Sequence, residues 1–73
     1  MNNFSEIFSE RLFELVDGSE LSLDEIADKI CVSTNVLQRY MRGISRPNVH
    51  VLRKICVLFH VSADYLLGIR DKI

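Results

Sequence analysis

The sequence predicts an all-α domain of five short helices, and three observations support this prediction. Apolar residues recur three and four positions apart through most of the chain, which is the period of helices with one buried face. Serine, asparagine and glycine residues stand where this period starts and stops, as helix caps do. Of the 73 residues, 48% are apolar, which argues against a disordered tail and is enough for one small core.

Composition and terminal sequence argue against several other classes of protein. No apolar run approaches the ~20 residues needed to span a bilayer, and the N-terminus lacks the basic-then-apolar pattern of a secretory signal. We therefore expect one cytoplasmic domain over residues 1–73. The net charge of −1 argues against a polycation that coats nucleic acid without selectivity.

The first helix is predicted from about Phe4 to Val16, where the turn residues Asp17-Gly18-Ser19 follow it. Its apolar face consists of Phe4, Ile7, Phe8, Leu12, Leu15 and Val16. A separate acidic row, typical of a solvated helix face, consists of Glu6, Glu10 and Glu14.

The second helix has a well-marked start. Ser22 and Glu25 fit a capping box, and Leu21 with Ile26 fits the accompanying hydrophobic staple. The predicted core face consists of Leu23, Ile26, Ala27 and Ile30. The small side chain of Ala27 would let the following helix cross closely.

The third helix, predicted over Thr34–Arg42, has one face suited to a core and another suited to DNA. Ser33 precedes it as an N-cap. Its inward stripe consists of Leu37, Tyr40 and Met41. Its outward stripe lacks a carboxylate and consists of Asn35, Gln38, Arg39 and Arg42, whose amides and guanidinium groups match base edges and phosphates. We predict a helix-turn-helix over residues 22–43, with this third helix as its recognition helix.

Two further helices complete the predicted fold. Gly43 ends the third helix, and residues 44–47 form a loop. Asn48 caps a fourth helix that ends near His60, and Ser62 caps a fifth, Ala63–Leu67, which Gly68 closes. The core stripe of the fourth helix consists of Leu52, Ile55, Cys56 and Phe59.

Charge is divided unequally along the chain. Residues 1–28 contain eight acidic side chains and one basic one, Arg11, for a net −7, whereas residues 29–73 contain eight basic and two acidic side chains, for +6. Every charged side chain from Lys29 to Lys54 is positive. Such a molecule could present one positive face to phosphates, although both halves could also be ordinary solvated helix faces.

Three consecutive pieces of sequence carry a resemblance to a known family. They are LSLDEIADKICVS, TNVLQRYMRGISRPN and VLRKICVLFHVSADYLLG, which lie in one uninterrupted register between Leu12 and Gly68. Together they resemble the lambda-repressor/Cro-like helix-turn-helix regulators of bacteria and phages. The resemblance implies a compact five-helix domain that binds double-stranded DNA sequence-specifically, with repression as the expected effect.

The resemblance also implies residue roles, because such proteins place the recognition helix in the major groove. Positions that match base-reading residues are Thr34, Asn35 and Arg39. Gln38 and Arg42 match positions that touch base edges or backbone, and we assign Gln38 to bases and Arg42 to phosphates. The remaining positions that match phosphate contacts are Ser22, Ser33, Ser45, Arg46 and Asn48.

The chain departs from the family pattern at three places. The glutamine that usually starts the first motif helix, where it braces the recognition helix, is Leu23, so that contact is absent or supplied differently. The usual turn glycine is Cys31, where a left-handed backbone would be strained. An Arg–Glu pair of many members is matched by Val16 and Met41, and we expect these apolar side chains to touch.

The sequence gives little support for metal binding or catalysis. Cys56 and His60 lie four positions apart, but a closed zinc site takes about four ligands and no others are evident. Cys31 and Cys56 are expected to be buried free thiols. We expect no cofactor and infer no small-molecule ligand. Without a Ser-His-Asp set, a glycine-rich phosphate cradle or a carboxylate pair beside an apolar pocket, we expect no enzyme.

The sequence leaves open whether the partner is DNA or protein, and which surface a dimer would use. The same fold could be a protein-interaction module, such as an antitoxin-like or repressor-antagonist subunit, because the net charge is small and the C-terminal region is apolar. That region contains Tyr65, Leu66, Leu67, Ile69 and Ile73. For the DNA-binding alternative we expect a homodimer on a palindromic operator, joined through Leu66–Ile69 or, second, through the first helix. These residues could instead complete the monomer core.

Overall fold

The computed structural model describes residues 4–71 and contains five helices in that part of the chain. They are α1 (Phe4–Asp17), α2 (Leu23–Lys29), α3 (Thr34–Met41), α4 (Val49–Phe59) and α5 (Ala63–Leu66). The predicted all-α class and element order are confirmed, with helix ends within about one residue of prediction. Within the described residues no helix has the length and apolarity that crossing a membrane requires.

One core joins all five helices. Its fully buried side chains come from every helix or its C-cap: Phe8, Leu12, Ile26, Ile30, Leu37, Ile55 and Leu66. Several residues predicted for the core lie at its edge, half-buried: Leu23, Met41, Leu52, Cys56 and Phe59. The side chain of Phe4, also predicted for the core, lies outside the described part. Because α3 packs against both α1 and α2, its orientation is set by this core.

Four helices begin where the sequence predicted a side-chain cap. Ser22, Ser33 and Ser62 accept hydrogen bonds from backbone amides three residues later, each at 3.1 Å. Asn48 does the same at 2.9 Å. The capping box is complete, because the backbone amide of Ser22 donates to the Glu25 carboxylate at 3.1 Å. This bond to the backbone lowers the pKa of Glu25 below its usual value.

The turn between α2 and α3 requires a left-handed residue, and Cys31 supplies it. Its φ is 62°, as predicted for the position where the family usually has glycine. The strain is about 1–2 kcal/mol relative to glycine. Two hydrogen bonds hold the turn, from the amides of Cys31 to Asp28 (3.1 Å) and of Val32 to Ala27 (3.0 Å). The hydrogen bonds of the turn and the packing of α3 on α1 and α2 therefore maintain the geometry that orients α3, against the preference of a non-glycine residue for negative φ.

The expectation of two buried thiols was wrong. Both cysteines are free, but Cys31 is exposed and Cys56 is half-buried on α4. Cys31 is exposed although its neighbours are not, since Ile30 is fully buried and Val32 packs against the core. Partial burial raises the pKa of the Cys56 thiol, which keeps it protonated and poorly reactive.

Arg11 connects α1 to the C-terminal end of the described chain. Its guanidinium donates to the backbone carbonyls of Tyr65 and Arg70, the second at 2.7 Å, and to the Asp71 carboxylate at 3.3 Å. It also lies 4.5 Å from the centroid of the Tyr65 ring, within cation–π range. The one basic residue of the acidic N-terminal segment thus stabilises the packing of α5 on α1.

Candidate nucleic-acid interface

The outward stripe of α3 is on the surface. Asn35, Gln38 and Arg39 are exposed, as is the C-cap residue Arg42. On the opposite face Leu37 is fully buried and Tyr40 nearly so. Burial raises the pKa of the Tyr40 phenol above its usual value. The predicted division of α3 into a core face and a polar, carboxylate-free face is confirmed.

Three residues matched to phosphate contacts are also helix caps. The side-chain oxygens of Ser22, Ser33 and Asn48 accept from backbone amides. Because these bonds use only the side-chain oxygens, the serine hydroxyl hydrogens and the Asn48 amide hydrogens remain available to donate. Each residue can therefore cap its helix and donate to a phosphate at the same time, and the capping bond holds the donating group in place. Ser45, half-buried, and Arg46, exposed, lie in the loop between α3 and α4.

A side-chain bond between α2 and α3 answers the question raised by Leu23. The hydroxyl of Thr34, first residue of α3, donates to the carboxylate of Asp24 in α2 at 2.5 Å. Leu23 itself is half-buried and packs against the core. Asp24, one residue after Leu23, thus makes the polar link to α3 that the resemblance led us to expect from position 23. Sequence reasoning missed this residue because an acidic side chain in the first helical turn has an ordinary alternative role, favourable interaction with the helix dipole.

The cations between Lys29 and Lys54 come from two sets of structural elements, and the expectation that they share one positive face stays a prediction. Arg39, Arg42 and Arg46 belong to α3 and the loop after it. The other three line a shallow groove with apolar residues of α4: Lys29, Arg53, Lys54, Val57 and Leu58. The groove residues come from α2 and α4, whereas Arg39, Arg42 and Arg46 do not border this groove.

Val16 and Met41 border one shallow depression, together with Phe13, Leu21 and Leu23. The replacement of a charged pair by apolar side chains therefore places two hydrophobic groups in the same neighbourhood, as expected. Direct contact between the two side chains stays a prediction. Phe13 is 52% exposed and also borders a depression beside Gln38 and Arg42. Phe13 was not among the residues predicted to matter, because it lies off the apolar stripe of α1.

The predicted dimer surface, Leu66 to Ile69, needs correction. Leu66 is fully buried in the core of the monomer and is unavailable to a partner. Leu67 is half-buried, whereas Gly68 and Ile69 are exposed, Ile69 by 70%. Ile73 lies outside the described residues. Only the outer end of the predicted surface is therefore accessible.

The sites considered for metal binding do not assemble in the described part of the chain. His60 is the exposed, left-handed C-cap of α4, with φ 57°. No group of three or more His, Cys, Asp or Glu side chains that could hold a metal ion occurs among residues 4–71. His50, in the first turn of α4, is exposed.

Comparison with known proteins agrees with this geometry. A family model described as helix-turn-helix matches residues 14–66. The HTH-type transcriptional regulator ImmR of Bacillus subtilis is 36% identical over 58 residues, which are 80% of this chain and 46% of that protein. The HTH-type transcriptional activator BcrR of Enterococcus faecalis is 31% identical over 61 residues, 84% of this chain and 30% of that protein.

A solved structure shows the same arrangement of helices. The solution structure of the SOS-response transcriptional repressor LexA from Eubacterium rectale superposes with a TM-score of 0.84 at 28% identity. The superposition covers 92% of this chain and 73% of that one. By contrast, the chain spans less than half the length of the curated relatives ImmR and BcrR.

Proposed function

Because this chain belongs to the lambda-repressor/Cro-like helix-turn-helix family of transcriptional regulators, we propose that it binds double-stranded DNA sequence-specifically as a cytoplasmic repressor. The observation that supports this most is the exposed face of α3. It presents amides and guanidinium groups and lacks a carboxylate, while the opposite face fixes the helix to the core. Repression requires only that the protein occupy a promoter.

In the proposed complex α3 lies in the major groove, and the start of α2 meets the backbone. Thr34, Asn35, Gln38 and Arg39 face the base edges. Phosphates are contacted by residues around the motif: Ser22, Ser33, Arg42, Ser45, Arg46 and Asn48. The caps Ser22, Ser33 and Asn48 lie at the N-termini of helices, where backbone amides and the helix dipole also favour a phosphate.

The experiment that tests this function is selection of bound sites from random DNA, followed by affinity measurement as a function of salt. The logarithm of the affinity should fall linearly with the logarithm of the salt concentration, by roughly 0.9 per neutralised phosphate. Arg42→Gln should reduce the magnitude of that slope by roughly 0.9, the contribution of one phosphate contact. The matched control is Arg53→Gln in the groove of α4, which should leave the slope unchanged.

Absence of any enriched sequence, with weak binding at every salt concentration, would instead support a protein-interaction module. The observation that favours this second candidate is the exposed apolar surface of the monomer. Phe13 and Val57 are 52% and 63% exposed, and neither belongs to the α3 stripe. A partner that binds such residues would not require DNA.

We further propose that the protein binds as a two-fold dimer whose half-sites are about 10 base pairs apart on a palindromic operator. Ile69 is the accessible part of the originally predicted surface and is 70% exposed, so Ile69→Glu should raise the dimer dissociation constant at least about tenfold. Sedimentation with and without operator DNA measures this. A monomer at high concentration in both states would contradict the dimer, and an unaffected Ile69→Glu variant would contradict Ile69 as its interface.

A further inference from the structure

Asp24 and Thr34 form the only side-chain to side-chain hydrogen bond between α2 and α3 among the interactions of the described residues. Asp24 is the second residue of α2 and Thr34 the first of α3. The donor–acceptor distance of 2.5 Å is short, as expected when a hydroxyl donates to an ionised carboxylate. The bond joins the N-terminal end of α3 to α2, which packs against it. In the proposed complex this end of α3 enters the major groove first.

This bond determines what Thr34 can offer to a third group. A threonine hydroxyl has a single hydrogen, and here Asp24 accepts it. Towards a ligand, the Thr34 oxygen then presents lone pairs and cannot donate. The Asp24 carboxylate, ionised, also only accepts. The pair therefore acts as one acceptor surface next to the otherwise donor-rich stripe of α3.

Resting on the proposed function, we propose that the Asp24–Thr34 pair selects a base that presents an amino group in the major groove, at the position facing the start of α3. Cytosine N4 and adenine N6 are the amino donors there, whereas guanine presents only the acceptors O6 and N7 and thymine only the acceptor O4. Cytosine or adenine can therefore donate to the pair, whereas guanine and thymine would place an acceptor against an acceptor. Asp24 is thus a specificity-determining residue.

The charge of Asp24 has a second effect that can be separated from the first. A carboxylate near the duplex repels phosphates, and this repulsion is independent of base sequence. Neutralising Asp24 should therefore raise the affinity for all sequences by a common factor. The loss of base selection should appear at one position alone, as a change in the ratio of affinities between bases.

The test compares Asp24→Asn with wild type on the selected operator and on variants carrying each base at each position. At one position near the half-site edge, the preference for cytosine or adenine over guanine should fall about tenfold, because a donating amide replaces an accepting oxygen. Asp28→Asn is the matched control, since it removes the same charge from α2 without breaking a bond to α3. It should leave every base preference intact.

Two variants of Thr34 test the same pair without changing Asp24, so their result does not depend on whether the Asp24→Asn variant folds normally. Thr34→Ser retains the hydroxyl and should retain the preference, whereas Thr34→Val removes the oxygen at nearly constant shape and should lose it. An Asp24→Asn variant that changes all affinities by one factor overturns the inference and leaves the proposed function standing. Wild-type protein without sequence preference on any DNA overturns both.

Discussion

Replacing Arg39 with alanine is expected to weaken binding to the selected operator by roughly 5- to 150-fold, corresponding to about 1–3 kcal/mol. Arg39 is exposed on the outward face of α3, between the two amide side chains and Arg42. A guanidinium at this position can donate two parallel hydrogen bonds to O6 and N7 of guanine, and alanine leaves those acceptors unpaired.

The measurement is the affinity of Arg39→Ala for the operator and for operators mutated at single positions. Loss of discrimination at one guanine, with the other positions unaffected, is the expected result. Arg53→Ala serves as the control, because it removes an exposed arginine from α4 and should change no base preference. If Arg39→Ala instead weakened binding to all sequences equally, Arg39 would contact phosphate alone.

Replacing Arg11 with methionine is expected to destabilise the folded protein. This change removes the hydrogen bonds to the Tyr65 and Arg70 carbonyls and the ion pair with Asp71, while a methionine keeps much of the apolar stem. We expect the free energy of unfolding to fall by about 1.5–3 kcal/mol, mainly because the part-buried hydrogen bond from the charged guanidinium to the Tyr65 carbonyl is lost. Urea denaturation followed by circular dichroism measures it.

For this prediction Arg53→Met is the matched control, since Arg53 is exposed and has no hydrogen bond or ion pair within the described chain. Its free energy of unfolding should change by less than about 0.5 kcal/mol. Equal stability of the two variants would show that the Arg11 contacts contribute nothing net. Asp71 alone should matter little, because its side chain is almost fully exposed.

The helices could be predicted because their signals are local. Ser22, Ser33, Asn48 and Ser62 each act on an amide three residues away, so a short segment contains the whole interaction. The left-handed turn at Cys31 followed from the family register. The exposed stripe of α3 followed from helical period, because burial of Leu37 and Tyr40 determines which side faces solvent.

The contacts that were missed join residues far apart in sequence. Arg11 bonds to residues 54 and more positions away, and its only sequence signal is that it is the one cation in an acidic segment. Asp24 and Thr34 are ten positions apart, and only the crossing of α2 and α3 brings them together. The assignment of Leu66 to an interface failed because an apolar helix end looks the same whether it completes a core or binds a partner.

Whether α3 lies against the duplex can be measured by an NMR titration of the protein with the selected operator, following each backbone and side-chain amide. We expect the largest shift changes at the side chains of Asn35 and Gln38 and at the backbone of Ser22, Ser33 and Asn48. Residues of the α4 groove, such as Lys54 and Val57, should change little. Shift changes confined to that groove, with the α3 stripe unaffected, would contradict the claim that this face of α3 lies against the duplex.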